Sequence, residues 1–259
     1  PSIQFDPEHN PDGKFKAAQL VRSCRALKDI CLAYGIPLLS GKDSMYVDGH
    51  LAGKYGESHK VSALETLQFS TTGVISDISH CMTPDSKASG DLVYILGTTR
   101  NELGGSEYYA HFNCVGLNVP EVVIGQTVPL YRQLTRAIEG DLPASVHGIY
   151  RGGLAVHLAM VAMGGDLGMH VDLAKVPGAG SMRNDTILFS ESAGRFIVTV
   201  AEKNRADFEK MFQDLPCAYV GTVSDDSTLS IIGTDGHPIV STPVTQLREA
   251  WKKPFGGLI

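Results

Sequence analysis

Four glycine-rich turns hold the residues best suited to chemistry: 40–44 (Ser-Gly-Lys-Asp-Ser), 104–107 (Gly-Gly-Ser-Glu), 147–153 and 190–195. Glycine lets the backbone approach a ligand, and free N–H groups at turns and helix starts attract anions, so the set suits a phosphorylated ligand. Gly41-Lys42 is not a Walker A loop, because Ile36 stands where that motif has its first glycine, and no G-x-G-x-x-G run occurs. Each turn keeps a plainer alternative. Residues 41–44 also fit a tight surface turn with a solvated Lys42, and the Gly104-Gly105 and Gly152-Gly153 pairs fit close packing. His157 fits a hydrogen-bonded core histidine, and Glu191 with Arg195, four apart, fits a local ion pair. Spacing alone assembles no Ser/His/Asp or metal constellation.

The elements that must position these turns follow from periodicity. Phe15, Leu20, Cys24, Leu27, Cys31 and Tyr34 recur at mostly helical steps, with Arg22, Arg25, Lys28 and Asp29 between them, and Gly35 and Pro37 end the helix. A short strand at 37–40 then empties into the 41–44 turn, and another strand is predicted at 67–77. The polar, proline-containing run 83–90 reads as a linker, with a domain boundary near 88. Beyond it a strand at 91–97, a glycine turn at 102–107 opening a helix, a helix at 128–138 and a strand around Val146 are expected. The apolar run 154–163 predicts a helix buried on every side, ended by Gly164-Gly165. Strands at 167–173, 196–200, 219–223 and 229–232 and helices at 204–212 and 244–251 complete a mixed α/β or α+β chain in two parts.

Composition removes whole classes of function. Of 259 residues, 43% are hydrophobic and 19% charged, a balance that packs a core and excludes a disordered chain. With a net charge of −6 and no dense Lys/Arg cluster, neither nucleic acid nor an anionic membrane is an expected partner. The longest apolar stretch falls far short of the ~20 residues that cross a bilayer. The N-terminus lacks an initiator Met and the basic and apolar regions of a signal peptide, which predicts a cytoplasmic chain cut from something longer. Five widely spaced cysteines without C-x-x-C predict reduced, buried thiols.

Taken together, the motifs carry a resemblance. Ile36-Pro37-Leu38-Leu39-Ser40-Gly41-Lys42-Asp43-Ser44-Met45, Glu102-Leu103-Gly104-Gly105-Ser106-Glu107-Tyr108, Gly152-Gly153-Leu154-Ala155-Val156 and Phe189-Ser190-Glu191-Ser192-Ala193-Gly194-Arg195-Phe196 run in the order found in the phosphoribosylformylglycinamidine synthase (FGAM synthase) family. With the closing Leu247-Arg248-Glu249-Ala250-Trp251, practically the whole chain resembles the C-terminal part of that family's large synthetase subunit. The resemblance implies an AIR synthase-like fold: 1–88 as the later part of an N-terminal-like domain, 89–259 as a C-terminal-like α/β domain. It also implies an ATP- and Mg²⁺-dependent C–N ligase of purine biosynthesis. That enzyme makes formylglycinamidine ribonucleotide, ADP and phosphate from formylglycinamide ribonucleotide, ATP and glutamine-derived ammonia. The ammonia comes from a glutaminase domain or subunit, and no glutaminase motif surrounds the cysteines here. Most of the active site belongs to the N-terminal half of the synthetase, so this part alone is expected to be inactive and to self-associate or bind that half.

By the same resemblance Gly41 contacts ATP through its backbone and Ser44 offers its hydroxyl to substrate. Lys42 replaces the family's metal-binding Asn; an ammonium cannot ligate a cation, so it pairs with a phosphate, and Asp43 is left as the possible metal ligand. Gly104, Gly105, Ser106, Gly152, Gly153, Glu191, Ser192 and Arg195 correspond to a second phosphate or nucleotide site. The family's His-Asp-x-Ser-Asp-Gly-Gly-Leu stands here as His147-Gly148-Ile149-Tyr150-Arg151-Gly152-Gly153-Leu154, without either aspartate, which implies a structural pseudo-site. No catalytic residue is assigned. The alternatives are a non-catalytic nucleotide-binding half of the same enzyme, or another ATP-dependent AIR synthase superfamily member.

Overall fold

The computed structural model describes residues 13–42, 48–62 and 66–258, and by packing the chain divides into two units, Pro1–Ile75 and Ser76–Ile259. In the first, the predicted amphipathic run forms helix α1 (Gly13–Tyr34). Gly35 ends it at φ +68°, and the Ile36 N–H closes on the Cys31 carbonyl at 3.0 Å. Strands β1 (Asp48–Ala52) and β2 (Ser58–Ser62) form an antiparallel hairpin with Ala52 opposite Ser58. The strands predicted at 37–40 and 67–77 are absent: 36–42 and 66–75 carry no strand, and Leu38, Leu39, Leu67 and Val74 are exposed. An apolar run becomes a strand only when a neighbouring strand takes its N–H and C=O groups; Pro37 offers no N–H at all.

The second unit is built on a seven-stranded sheet. In chain order it contains β3 (Leu92–Leu96), α2 (Glu107–His111), α3 (Ile124–Glu139), β4 (Pro143–Ile149), α4 (Gly153–Gly165) and β5 (Gly168–Asp172). There follow α5 (Asn184–Phe189), β6 (Arg195–Val200), α6 (Arg205–Met211), β7 (Cys217–Ser224), β8 (Thr228–Ile232), β9 (Pro238–Pro243) and α7 (Val244–Lys252). The strand order is β4-β6-β3-β7-β5-β8-β9, antiparallel except for the β5–β8 pair. Alternation along β3 sends Val93 and Ile95 to one face, where they pack with Leu154, Leu158 and Val161 of α4. Leu92, Tyr94 and Leu96 face the other way, onto Leu130 and Leu134 of α3 and Phe208 of α6. The result is a helix–sheet–helix sandwich, the mixed α/β class that the sequence predicts.

Two corrections come from this packing. Helix α4 is not buried on every side: Val156 and Met160, one turn apart, are exposed, while Leu154, His157, Leu158 and Val161 face the core. A helix lying on one face of a sheet keeps an outward stripe, and here that stripe is apolar, so composition alone conceals it. The cysteines are all free, but Cys24, Cys81 and Cys114 are exposed; Cys31 and Cys217 are partly buried, and burial pushes the Cys217 thiol up to about 12. Residues 83–86, ahead of the predicted boundary, are tied into the second unit, where Val146 N–H donates to Thr83 O and Ser86 N–H to Val161 O, both at 3.3 Å.

Candidate functional site

In the second unit the turns around Gly104, Gly152 and Glu191 converge at the start of α4. The 190–192 segment lies along 100–102. Ser190 Oγ accepts from Glu102 N–H at 3.3 Å and donates to Arg100 O at 2.6 Å, Ser192 Oγ accepts from Arg100 N–H at 3.0 Å, and Glu191 N–H donates to Glu102 O at 3.3 Å. This zipper carries the Glu191 carboxylate to two backbone donors: its Oε1 accepts from Gly152 N–H at 2.8 Å and from Glu107 N–H at 2.9 Å. Those donors belong to the first turns of α4 and α2, where N–H groups lack helical partners and the helix dipole favours negative charge.

Each glycine has a local reason. Gly152 caps α4 at φ +93°, and Gly153 follows at φ +72° with the Phe189 backbone 2.7 Å from where a Cβ would sit. Gly104 is pressed equally close to Asn118, to whose carbonyl its N–H donates at 2.8 Å. Gly105, at φ +69°, donates to Val115 O at 2.7 Å but faces open space. Ser106 caps α2, its Oγ accepting from Tyr109 N–H at 3.2 Å and donating to Leu103 O at 2.6 Å. Beside it Tyr108 stacks on Phe189, ring centroids 4.6 Å apart.

Arg195 lies under this surface, 1% exposed. Its Nε donates to Ser192 O at 3.0 Å, Nη1 to Thr99 Oγ1 at 2.9 Å and Nη2 to Ser190 O. Burial pushes the guanidinium down to about 10, while the Glu102 charge, and more weakly that of Glu191, pulls it back up. The local Glu191–Arg195 ion pair that the spacing also allows does not form: the carboxylate turns to backbone N–H groups and the guanidinium to two carbonyls and the Thr99 hydroxyl.

The structure thus brings together all eight residues of the predicted second site. Gly41 and Lys42 lie in the first unit, exposed and outside regular structure. Asp43 and Ser44 lie outside the described residues. Among the described residues no group of three or more His, Cys, Asp or Glu side chains is arranged to hold a metal ion, and no helix is long and apolar enough to cross a membrane. His157 sits in the core as expected, bonded to His147. Glu102 was not legible as a buried group: it is 6% exposed, its Oε1 accepts from Glu121 N–H at 3.3 Å, and its Oε2 has no partner. Nothing in the Glu102-Leu103-Gly104 run signals that burial.

Residues 88–234 match the family described as AIR synthase related protein, C-terminal domain. The chain is 30% identical over 254 residues to the phosphoribosylformylglycinamidine synthase subunit PurL of Alkaliphilus metalliredigens, a match covering 96% of this chain and 32% of that protein. In fold it resembles Thermotoga maritima PurL complexed with FGAR, with a TM-score of 0.63 at 16% identity over 85% of this chain and 36% of that one. The same protein complexed with ATP gives a TM-score of 0.53 at 18% identity, over 65% of this chain and 27% of that one. The chain spans about a third of the length of the curated relatives it matches.

Proposed function

The chain belongs to the AIR synthase related family, and we propose that it serves as the C-terminal part of an ATP-dependent C–N ligase, a phosphoribosylformylglycinamidine synthase. The observation that carries this reading is the 30% identity to PurL running through 96% of the chain. The substrate would be formylglycinamide ribonucleotide and the nitrogen would come as ammonia from a glutaminase domain or subunit; that its fold relative Thermotoga maritima PurL forms complexes with ATP and with FGAR agrees with that assignment. Residues 1–88 would be the later part of an N-terminal-like domain and 89–259 the C-terminal-like domain. Free cysteines agree with a reducing, cytoplasmic setting.

In this reading Gly41 would contact ATP through its backbone, Lys42 would pair with a phosphate and Ser44 would meet the substrate; a bound Mg²⁺ would supply further positive charge to offset the charge of the transferred phosphoryl group. That charge is the main demand on such a site, and backbone N–H groups, a lysine and a metal are suited to it. A metal role for Asp43 belongs to the same proposal. Ser44→Ala in the complete synthetase should lower turnover with little change in thermal midpoint; an unchanged rate removes Ser44 from the site.

A second reading, a non-catalytic role for the cluster around Gly152 and Glu191, is favoured by one observation: two N–H groups suited to an anion already bond to Glu191. Calorimetry with ADP on this chain distinguishes a nucleotide-binding pseudo-site from a purely structural one.

A further inference from the structure

His147 on β4 and His157 on α4 share a hydrogen bond, Nε2 to Nδ1, at 2.8 Å. His157 is 5% exposed. Its Nε2 lies 2.9 Å from Tyr150 N and 3.2 Å from Arg151 O. The Tyr150 N–H points at Nε2 and needs a lone pair there, so the His157 proton sits on Nδ1 and is donated to His147 Nε2. That leaves His147 protonated at its own Nδ1. The neutral pair therefore has one arrangement that satisfies Tyr150.

A further proton breaks it. Added at His157 Nε2, it sets a donor against the Tyr150 N–H, and Nε2 must turn instead to the Arg151 carbonyl. Added at His147 Nε2, it sets a donor against His157 Nδ1–H, unless His157 moves its proton to Nε2 and meets Tyr150 instead. Besides each other, the charged groups bearing on the pair are Arg195, which opposes an imidazolium at His157, and Glu191, which favours one. Burial is the largest influence on both rings and holds them below the ordinary histidine range.

We propose that His147 and His157 form an acid-sensitive latch on the turn that opens α4. Neutral, the pair holds the Tyr150 N–H, and so the turn that carries the Gly152 N–H to Glu191. A proton taken from water exchanges the Tyr150 N–H for the Arg151 carbonyl as the Nε2 partner, shifting the turn and loosening the Gly152 contact.

The test is NMR on this chain from neutral to mildly acidic pH, following the imidazole nitrogens and the exchange protection of the Tyr150 and Gly152 amides. At neutral pH His157 should appear as the neutral Nδ1–H form. Its protonation should begin only below the usual ~6.5 and coincide with loss of protection at both amides. In His157→Gln, whose side-chain oxygen can accept the Tyr150 N–H without titrating, protection should survive neutral pH and the acid transition should disappear. A transition at the same midpoint in that variant overturns the latch, as does titration of native His157 without change at Tyr150. If His157→Gln does not fold, tautomer and shared midpoint in the native chain decide the matter alone.

Discussion

Arg195 turns its guanidinium inward onto Ser190 O, Ser192 O and Thr99 Oγ1, and so fixes the segment that presents Glu191. Arg195→Met would keep much of the apolar stem but strand those acceptors and remove the positive charge that the buried Glu102 acts on. A loss of about 3–5 kcal/mol is expected, as for breaking a buried charged network from one side, read by denaturant unfolding. The sequence shows Glu191 and Arg195 four apart, a spacing that means proximity only on a helix. Residues 190–194 form a turn with Gly194 at φ +76°, which sends the two side chains to different partners. Asp91 carries a second residue-scale prediction. It is 6% exposed, its Oδ2 has no partner, and burial raises its carboxyl above the usual range. A raised folded value means that folding favours the neutral acid. This contribution is complete below the ordinary value near ~3.9 and is lost as pH rises through the folded one. Asp91→Asn should therefore raise the thermal midpoint at neutral pH, and the gain should shrink towards acid, as measured by melting across pH.

At the scale of elements, the sequence is most legible where one pattern leads to one partner. Strand β3 is recognisable because Leu92-Val93-Tyr94-Ile95-Leu96 is apolar throughout, as a strand covered on both faces must be, and all five residues are buried. Residues 37–40 (Pro-Leu-Leu-Ser) and 67–77, where Gln68, Ser70, Thr71, Thr72 and Gly73 interrupt the apolar positions, lack such a run and form no paired strand. Helix α5 and edge strand β9 were not predicted: α5 is a short six-residue helix, and β9 has prolines at both ends and mixed exposure. The glycine pairs separate only in three dimensions. Gly153→Ala combines a positive φ with a Cβ 2.7 Å from the Phe189 backbone, which cannot swing aside as a side chain would. It should cost about 3 kcal/mol or more, and Gly153→Val more still. Gly105→Ala, strained but facing open space, should cost about 1 kcal/mol. Equal losses in the two alanine variants by chemical denaturation would contradict this account of the α4 start.

At the scale of the whole molecule, the proposed ligase chemistry needs its nucleotide clamp, metal ligands and substrate-positioning groups within ångströms of one another, because positioning and electrostatics supply most of the rate. Only the 41–44 turn is assigned to that set here. The chain spans about a third of the length of the relatives that bear the synthase name. It also exposes apolar side chains that an assembled enzyme would be expected to cover: Phe15, Val21 and Leu32 of α1 with Leu38 and Leu39 beyond it, and separately Val115 and Leu117 after α2. The isolated chain should accordingly make no formylglycinamidine ribonucleotide from ATP, formylglycinamide ribonucleotide and concentrated ammonium, a supply that bypasses any glutaminase. It should also sediment as concentration-dependent oligomers, and Leu32→Glu with Leu39→Glu should shift it towards monomer. Clear product formation by these residues alone would mean that a complete active site lies within them, and would overturn the assignment of the chain as one part of a larger synthetase.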